Sequence, residues 1–211
     1  MPIQDIARFT QKDVIIKEVK TLYKGFLQLE KITLQYQCFA GHLSPEFERE
    51  LLRRSDAAAA ILYDPHLHKI VLIEQFRMGA MLNSQESPWL FEIIAGLISH
   101  NETPEAVIKR EAFEEAGATI EKLIPISTYW TSPGASNERV YLFCGKIDAS
   151  NIGGIHGLKD ENEDIRVHLV EPKEAYDAIA SGLICNSSSI IAIQWLQIYE
   201  TQVRQQWLEG N

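Results

Sequence analysis

Cysteine, positive charge and long apolar runs are all scarce in this sequence. Cys38, Cys144 and Cys185 are its only cysteines, widely spaced and without a CxxC pair. A disulfide framework or a structural zinc site therefore has little support, and three reduced, mostly buried thiols are expected instead. Lys and Arg total 20 against 29 Asp and Glu, a formal net charge of −9 and a pI near 5.2. Such a surface repels nucleic acid and anionic lipid at long range, which argues against a bulk polyanion binder. A small phosphate ligand stays open, provided that cations or a local Arg cluster neutralise its site. No window approaches the ~20 apolar residues of a membrane span, and the N-terminal stretch MPIQDIARFTQKDV has no apolar signal core. A soluble, cytoplasmic protein with neither nucleic acid nor membrane as partner is the expectation. Internal repeats and low-complexity tracts are absent too.

What is there suffices for a sizeable core: 211 residues, 45% hydrophobic and 23% charged, the profile of an ordinary globular chain and not of a disordered one. Residues 13–39 read as two strand-like runs, DVIIKEVKTLY and FLQLEKITLQYQCF, turning at Gly25. The polar stretch SPEFERELLRRSD (44–56) is expected to separate this exposed apolar hairpin from the rest. DAAAAILYD and HKIVLIEQF follow as two strands split by the turn signal Asp64-Pro65. WLFEIIA (89–95) predicts a strand that stops at Gly96.

From Thr103 to Ala116 the period becomes helical, with Thr103 as N-cap, Pro104 at the first position and Gly117 as the C-terminal stop. Strands are expected again at 122–129, 139–147 and 165–170, and helices at 172–182 and 187–208. Strands dominate the middle, one helix is embedded among them, and helices gather at the end. The fold class is α+β, a mixed sheet packed against helices.

The embedded helix carries an unusual concentration of acid. Glu111 and Glu115 are four apart and project from one face, with Glu114 adjoining. Like charges at that spacing are destabilising unless a cation sits between them. Carboxylates with few His or Cys nearby suit a hard ion such as Mg²⁺ or Mn²⁺, which keeps waters and binds substrate phosphates. Arg110 and Glu102 can form an internal pair that orients the cluster. A bare ExxEE would more simply be a solvated acidic face.

The whole pattern is far more specific. It reads Gly96-x5-Glu102-x7-Arg110-Glu111-U-x-Glu114-Glu115-x-Gly117-U, with U aliphatic or small. Its fixed positions would match by chance on the order of once in 10⁹ windows at average residue usage. It resembles the signature of the Nudix hydrolase family, although Ala112 and Ala118 are small for their U positions. The resemblance implies an α/β/α sandwich with mixed sheet and metal-dependent hydrolysis of a nucleoside diphosphate linked to another moiety. It also implies that Glu111, Glu115 and the backbone carbonyl of Ala95 bind metal, with Glu114 a third ligand or a supporting group.

Outside this box the chain resembles the bacterial ADP-ribose pyrophosphatases of the family. Pro133 lies 16 residues beyond Gly117 in Thr131-Ser132-Pro133-Gly134-Ala-Ser-Asn-Glu138, the spacing of that subgroup, although Ser-Pro-Gly is also a good turn. The acidic stretch GIHGLKDENEDIR, flanked by Gly153-Gly154, matches the subgroup as well. On composition it is a solvated mobile loop; in a metal hydrolase it could close on substrate. By the resemblance Glu161 is the catalytic base and Glu163 a further metal ligand.

Further matches are Leu22-Tyr-x-Gly25-Phe26, Arg49-Glu50, Ile73-Glu74-Gln75-x-Arg77 and Pro88-Trp89-Leu90. Arg49, Arg54 and Arg77 are candidates to pair with phosphate, and Phe26 to stack on adenine. Each could instead be a surface Arg or a core aromatic. Glu50, Leu97, Ser132, Pro133, Gly134 and Glu138 complete the candidate substrate contacts.

Members of the subgroup are homodimers whose N-terminal strands reach across to the partner. Residues 1–50 are accordingly expected to be an antiparallel, dimer-forming β region, and 51–211 the Nudix domain. The expected reaction is hydrolysis of ADP-ribose to AMP and ribose 5-phosphate with Mg²⁺ or Mn²⁺. The competing readings are hydrolysis of another nucleotide sugar such as GDP-mannose or of NADH, and a non-catalytic nucleotide sensor.

Overall fold

The computed structural model describes residues 9–82 and 87–209. Residues 1–8 of the expected N-terminal region lie outside them. The chain forms two compact units, Met1–Arg54 with Ser132–Glu138, and Ser55–Thr131 with Arg139–Asn211.

The first unit is a three-stranded antiparallel sheet in the order β1 (Val14–Lys24), β2 (Gln28–Tyr36), β3 (Phe47–Arg53). The two runs around Gly25 pair as the alternation predicts, with Val14 opposite Tyr36 and Lys24 opposite Gln28. The stretch expected to be a polar spacer is the third strand, with Gln28 opposite Arg53 and Leu34 opposite Phe47. Its charged residues hid it: a strand that buries little shows no apolar alternation. Pairing with β2 supplies what its own pattern does not, and Arg53 Nε donates to buried Glu30 Oε2 at 2.9 Å. Leu52 N donates to Ala135 O at 2.8 Å, so the returning segment Ser132–Glu138 lies along β3.

The second unit is a sandwich. Its sheet runs β10 (Gly154–His156), β11 (Ile165–Val170), β5 (Lys69–Phe76), β4 (Ala57–Asp64), β9 (Arg139–Lys146), β8 (Lys122–Trp130). Two short strands complete it: β6 (Trp89–Glu92) on β5 and β7 (Ile94–Leu97) on β4. Only β4 with β9 is parallel among these pairs, so the sheet is mixed as expected. β4 is buried along nearly its whole length, and its alternation splits the core in two. Ala58, Ala60 and Leu62 face α2 (Pro104–Ala116) with Val107, Ile108 and Ala112. Ala59, Ile61 and Tyr63 face the other layer, α3 (Pro172–Ala180) and α4 (Ser187–Glu209), with Ala175, Ile193 and Trp207.

WLFEIIA is not one strand ending at Gly96. The chain leaves β5 at Ile93 and pairs with β4 through Leu97, so Ile73 faces Glu92 while Ala57 faces Leu97. A switch of partners leaves backbone groups without a ladder bond. The start of α4 answers them: Ser189 Oγ accepts from Ile93 N at 3.0 Å and Asn186 Nδ2 donates to Phe91 O at 2.8 Å. The short strand β10 and the one-turn helix α1 (Met78–Met81) were not anticipated, because three or four residues carry no readable period.

The far end of α4 is anchored by Trp207, 1% exposed, whose ring meets Tyr63 at 6.2 Å between centroids. Trp207→Ala should cost about 3–5 kcal/mol by removing a buried aromatic and leaving a cavity. Denaturant unfolding should show the lower midpoint; a loss under 1 kcal/mol would mean that this end of α4 contributes little.

Candidate active site

Helix α2 begins and ends as its sequence dictates. Thr103 Oγ1 accepts from Ala106 N at 3.2 Å, and Gly117 closes the helix in the left-handed region at φ 64°. Between these caps Val107, Ile108, Ala112 and Ala116 enter the core, which turns Glu111 and Glu115 toward β7. Glu115 is buried, at 3% exposure, and its Oε2 accepts from Ala95 N at 3.0 Å. At Gly96 any Cβ would collide with the Glu111 carboxylate, so glycine there is what lets this side chain lie against the strand.

Arg110 gathers the other acids. Its Nη1 donates to Glu111 Oε1 and to Glu114 Oε2, each at 2.8 Å, and its Nε to Glu102 Oε1 at 3.3 Å. Glu102 in turn accepts from Ser99 N at 3.2 Å, fixing the loop before the helix. The pair expected between Arg110 and Glu102 is thus one arm of a four-residue cluster. Burial opposes the charge on Arg110, but its three carboxylate partners more than offset that and hold it protonated.

The second acidic segment approaches the same helix. Gly157 N donates to Glu114 O at 3.3 Å, and Leu158 N donates to Glu163 Oε2 at 3.1 Å. Gly157 has φ 101°, and a Cβ there would stand 2.7 Å from that of Glu163, so the loop needs glycine twice over. The charge of Glu163 bears on both Glu111 and Glu115. Burial, chiefly, pushes the Glu115 carboxyl well above the usual carboxylate range. The Ala95 amide opposes this, whereas Glu111 and Glu163 add to it. Burial likewise raises Glu111 against the pull of Arg110.

Among the described residues no three His, Cys, Asp or Glu side chains converge as a ready-made metal cage. The donors nonetheless fit a hard divalent cation. They are carboxylate oxygens beside a backbone peptide, two of them are held at raised pKa by burial and mutual repulsion, and a cation would relieve both. Glu161 stands apart, exposed on the 3-10 turn Lys159–Glu161.

Arg77 also belongs to this neighbourhood, since Glu115 and Glu163 act on its guanidinium. It is held by Glu92, a residue that sequence reading missed. Glu92 Oε2 accepts from Arg77 Nε at 2.9 Å and from Nη2 at 2.6 Å. The available signal was a lone acid inside the apolar run WLFEII. Leu97 is partly exposed on β7.

A cavity of about 340 Å³ lined by Glu74, Trp89, Ile155, Asp164 and Arg166 is not this site. Glu74 alternates with Leu72 and Ile70 of the α3/α4 layer, whereas Glu111 and Glu115 lie on the α2 side. There His168 Nε2 and Glu74 Oε2 are 3.0 Å apart.

The remaining candidates lie in the first unit. Arg54 N and O both bond the Asn137 side chain, at 2.8 and 2.9 Å, and Arg54 Nε pairs with Glu138 at 3.4 Å. Asn137, another residue not foreseen, therefore ties Ser132, Pro133, Gly134 and Glu138 to the end of β3. Arg49 stacks over the Phe47 ring at 4.7 Å and donates to Glu48 O. Glu50 lies opposite Lys31. Phe26 is 89% exposed, so it is no core aromatic.

The sequence profile of the NUDIX domain matches residues 53–185. An ADP-ribose pyrophosphatase of Haemophilus influenzae is 42% identical over 207 residues, 97% of this chain and 95% of the relative. One from Escherichia coli K12 is 42% identical over 94% of this chain and 95% of its own length. A GDP-mannose pyrophosphatase of Yersinia pestis is 33% identical over 86% of this chain and 90% of its own. Among solved structures, an ADP compounds hydrolase superposes with a TM-score of 0.70 at 16% identity, covering 93% of this chain and all of the other. At that identity the likeness is one of fold.

The raised carboxyl of Glu115 has a consequence for stability. A group whose pKa is higher in the folded state supports folding below its ordinary value of 4.5 and loses that contribution as pH rises through the folded value. In EDTA, Glu115→Gln should therefore raise the melting temperature at pH 8 by a few degrees, with the gain shrinking toward pH 4.5. A pH series of thermal unfolding curves checks this; an equal effect at both ends would contradict it.

Proposed function

The chain belongs to the Nudix family, and from that premise we propose that it hydrolyses the diphosphate of ADP-ribose to AMP and ribose 5-phosphate. The observation that carries the reading is geometric: Glu115 accepts from Ala95 N, Glu111 lies against Gly96, and the loop that carries Glu163 bonds to the helix through Gly157 N and Glu114 O. The substrate comes from the two ADP-ribose pyrophosphatases, each 42% identical to this chain against 33% for the GDP-mannose enzyme.

Glu111, Glu115, Glu163 and the Ala95 carbonyl would hold Mg²⁺ or Mn²⁺, with Glu114 as a further ligand or as the support that Arg110 fixes. A bound cation supplies Lewis-acid polarisation of the diphosphate. Water attacks one phosphorus, the bridging P–O bond breaks, and Glu161 takes the proton of the water. Its exposed position on a glycine-flanked loop suits a base that reaches its working place when substrate is bound. Arg77 pairs with the phosphates through the guanidinium donors that Glu92 leaves free. Arg49, Arg54, Glu50, Leu97, Ser132, Pro133, Gly134 and Glu138 contact the nucleotide and ribose, and Phe26 stacks on adenine.

A substrate panel of ADP-ribose, GDP-mannose, NADH and diadenosine polyphosphates tests this at millimolar Mg²⁺. ADP-ribose should be preferred, and Glu115→Gln should abolish turnover. Glu161→Gln should lower kcat about 10²–10⁴-fold with KM little changed. Preference for another nucleotide sugar would keep the chemistry and replace the substrate. Tight ADP-ribose binding without turnover of any compound would make the protein a sensor.

No helix among the described residues is long and apolar enough to cross a membrane, and cytoplasmic residence is part of this proposal. So is a homodimer built through the first unit. β1 is an edge strand of eleven residues, all of them exposed, with Ile16 at 57% and Val19 at 48%. An apolar edge of that length invites pairing with a second copy. Sedimentation should give twice the chain mass of 24.0 kDa, and Ile16→Glu with Val19→Glu should yield monomers. A monomeric native protein would overturn the dimer.

A further inference from the structure

Glu92 is the one acid of β6, set among Trp89, Leu90 and Phe91, with its side chain 12% exposed. It lies opposite Ile73 and so faces the α2 side of the sheet, as Gln75 does. Three donors converge on its Oε2: Arg77 Nε, Arg77 Nη2, and the amide of buried Gln75 at 3.2 Å. The main chain of Arg77 is pinned as well, its N donating to Pro88 O at 2.7 Å. Both ends of a long, flexible side chain are thereby fixed, at some cost in rotamer entropy.

Glu92 faces the α2 side of the sheet, the side on which Glu115 lies against Ala95. Glu115 and Glu163 act on its guanidinium, and a carboxylate–guanidinium pair forms readily wherever geometry allows. An Arg77 that turned to either would occupy the lone pairs that a cation needs and would withdraw from substrate. We propose that Glu92 is a positioning residue that holds Arg77 away from the cation-binding carboxylates and presents its remaining donors to the substrate diphosphate. The proposal rests on the hydrolase reading above. A plain strut between β5 and β6 would use the same ion pair, but it would lower stability without linking Arg77 to cation affinity.

A double-mutant cycle separates the two. Mn²⁺ is titrated by calorimetry, without nucleotide, into the native protein, Arg77→Ala, Glu92→Ala and the double variant, each first shown to be folded by thermal unfolding. Glu92→Ala should weaken Mn²⁺ binding about tenfold, the scale on which coupled neighbours interact. The double variant should return to within about twofold of Arg77→Ala. Glu92→Gln, which keeps an acceptor for the guanidinium, should recover most of the native affinity. With ADP-ribose, Glu92→Ala should raise KM more than it lowers kcat. A double variant as weak as Glu92→Ala, or single effects that simply multiply, would overturn the proposal and leave a strut or a bare charge effect. Native protein that binds Mn²⁺ but turns over no ADP-ribose would overturn the functional reading instead, and the cycle would still decide whether Glu92 restrains Arg77.

Discussion

Glu111, Glu114 and Glu115 crowd three carboxylates onto little more than one turn of α2, and the elements around them are arranged to answer that charge. Arg110 binds two of them, together with Glu102 from the preceding loop. The Ala95 amide takes the third, at the one buried position. Charges this close in a medium of low polarity repel strongly, so Arg110 can answer only part of the cluster. Burial and repulsion raise Glu115, which Arg110 does not bind, and Glu111 in spite of its bond to Arg110, with the charge of Glu163 adding to both, and a hard cation gains most there.

The sheet serves this arrangement through its least regular feature. If WLFEII continued beside β5, Ala95 and Gly96 would not lie against β4 and under α2. The switch at Ile93 brings them there, and α4 makes it tolerable by bonding the freed groups through Ser189 and Asn186. A hydroxyl and an amide from the far layer thus stabilise the strand break on which the opposite layer depends. Gly96 completes the fit, because Glu111 lies where any other side chain would begin.

Local signals carried much of the fold. Thr103, Pro104 and Gly117 act within one helix, and capping is decided by neighbours three or four residues away. The turn at Asp64 is equally local: its Oδ1 accepts from His66 N and Leu67 N. β3 failed to declare itself because its residues are mostly charged and its reason for being extended is β2, which no inspection of 44–56 could supply. The single strand expected at 89–95 failed for a similar reason, since its two halves look alike and differ only in their partners.

At the site the division is the same. The sequence by itself determined the family, the α+β class and the identity of the box carboxylates, because spacing along a helix places side chains on one face whatever surrounds them. Only the tertiary structure decided that Asn137 fastens the Ser132–Glu138 segment to the end of β3. It alone joined Arg77 to Glu92. Those contacts close between segments brought together by sheet register and layer packing, and register is a property of pairs of strands that neither strand encodes alone.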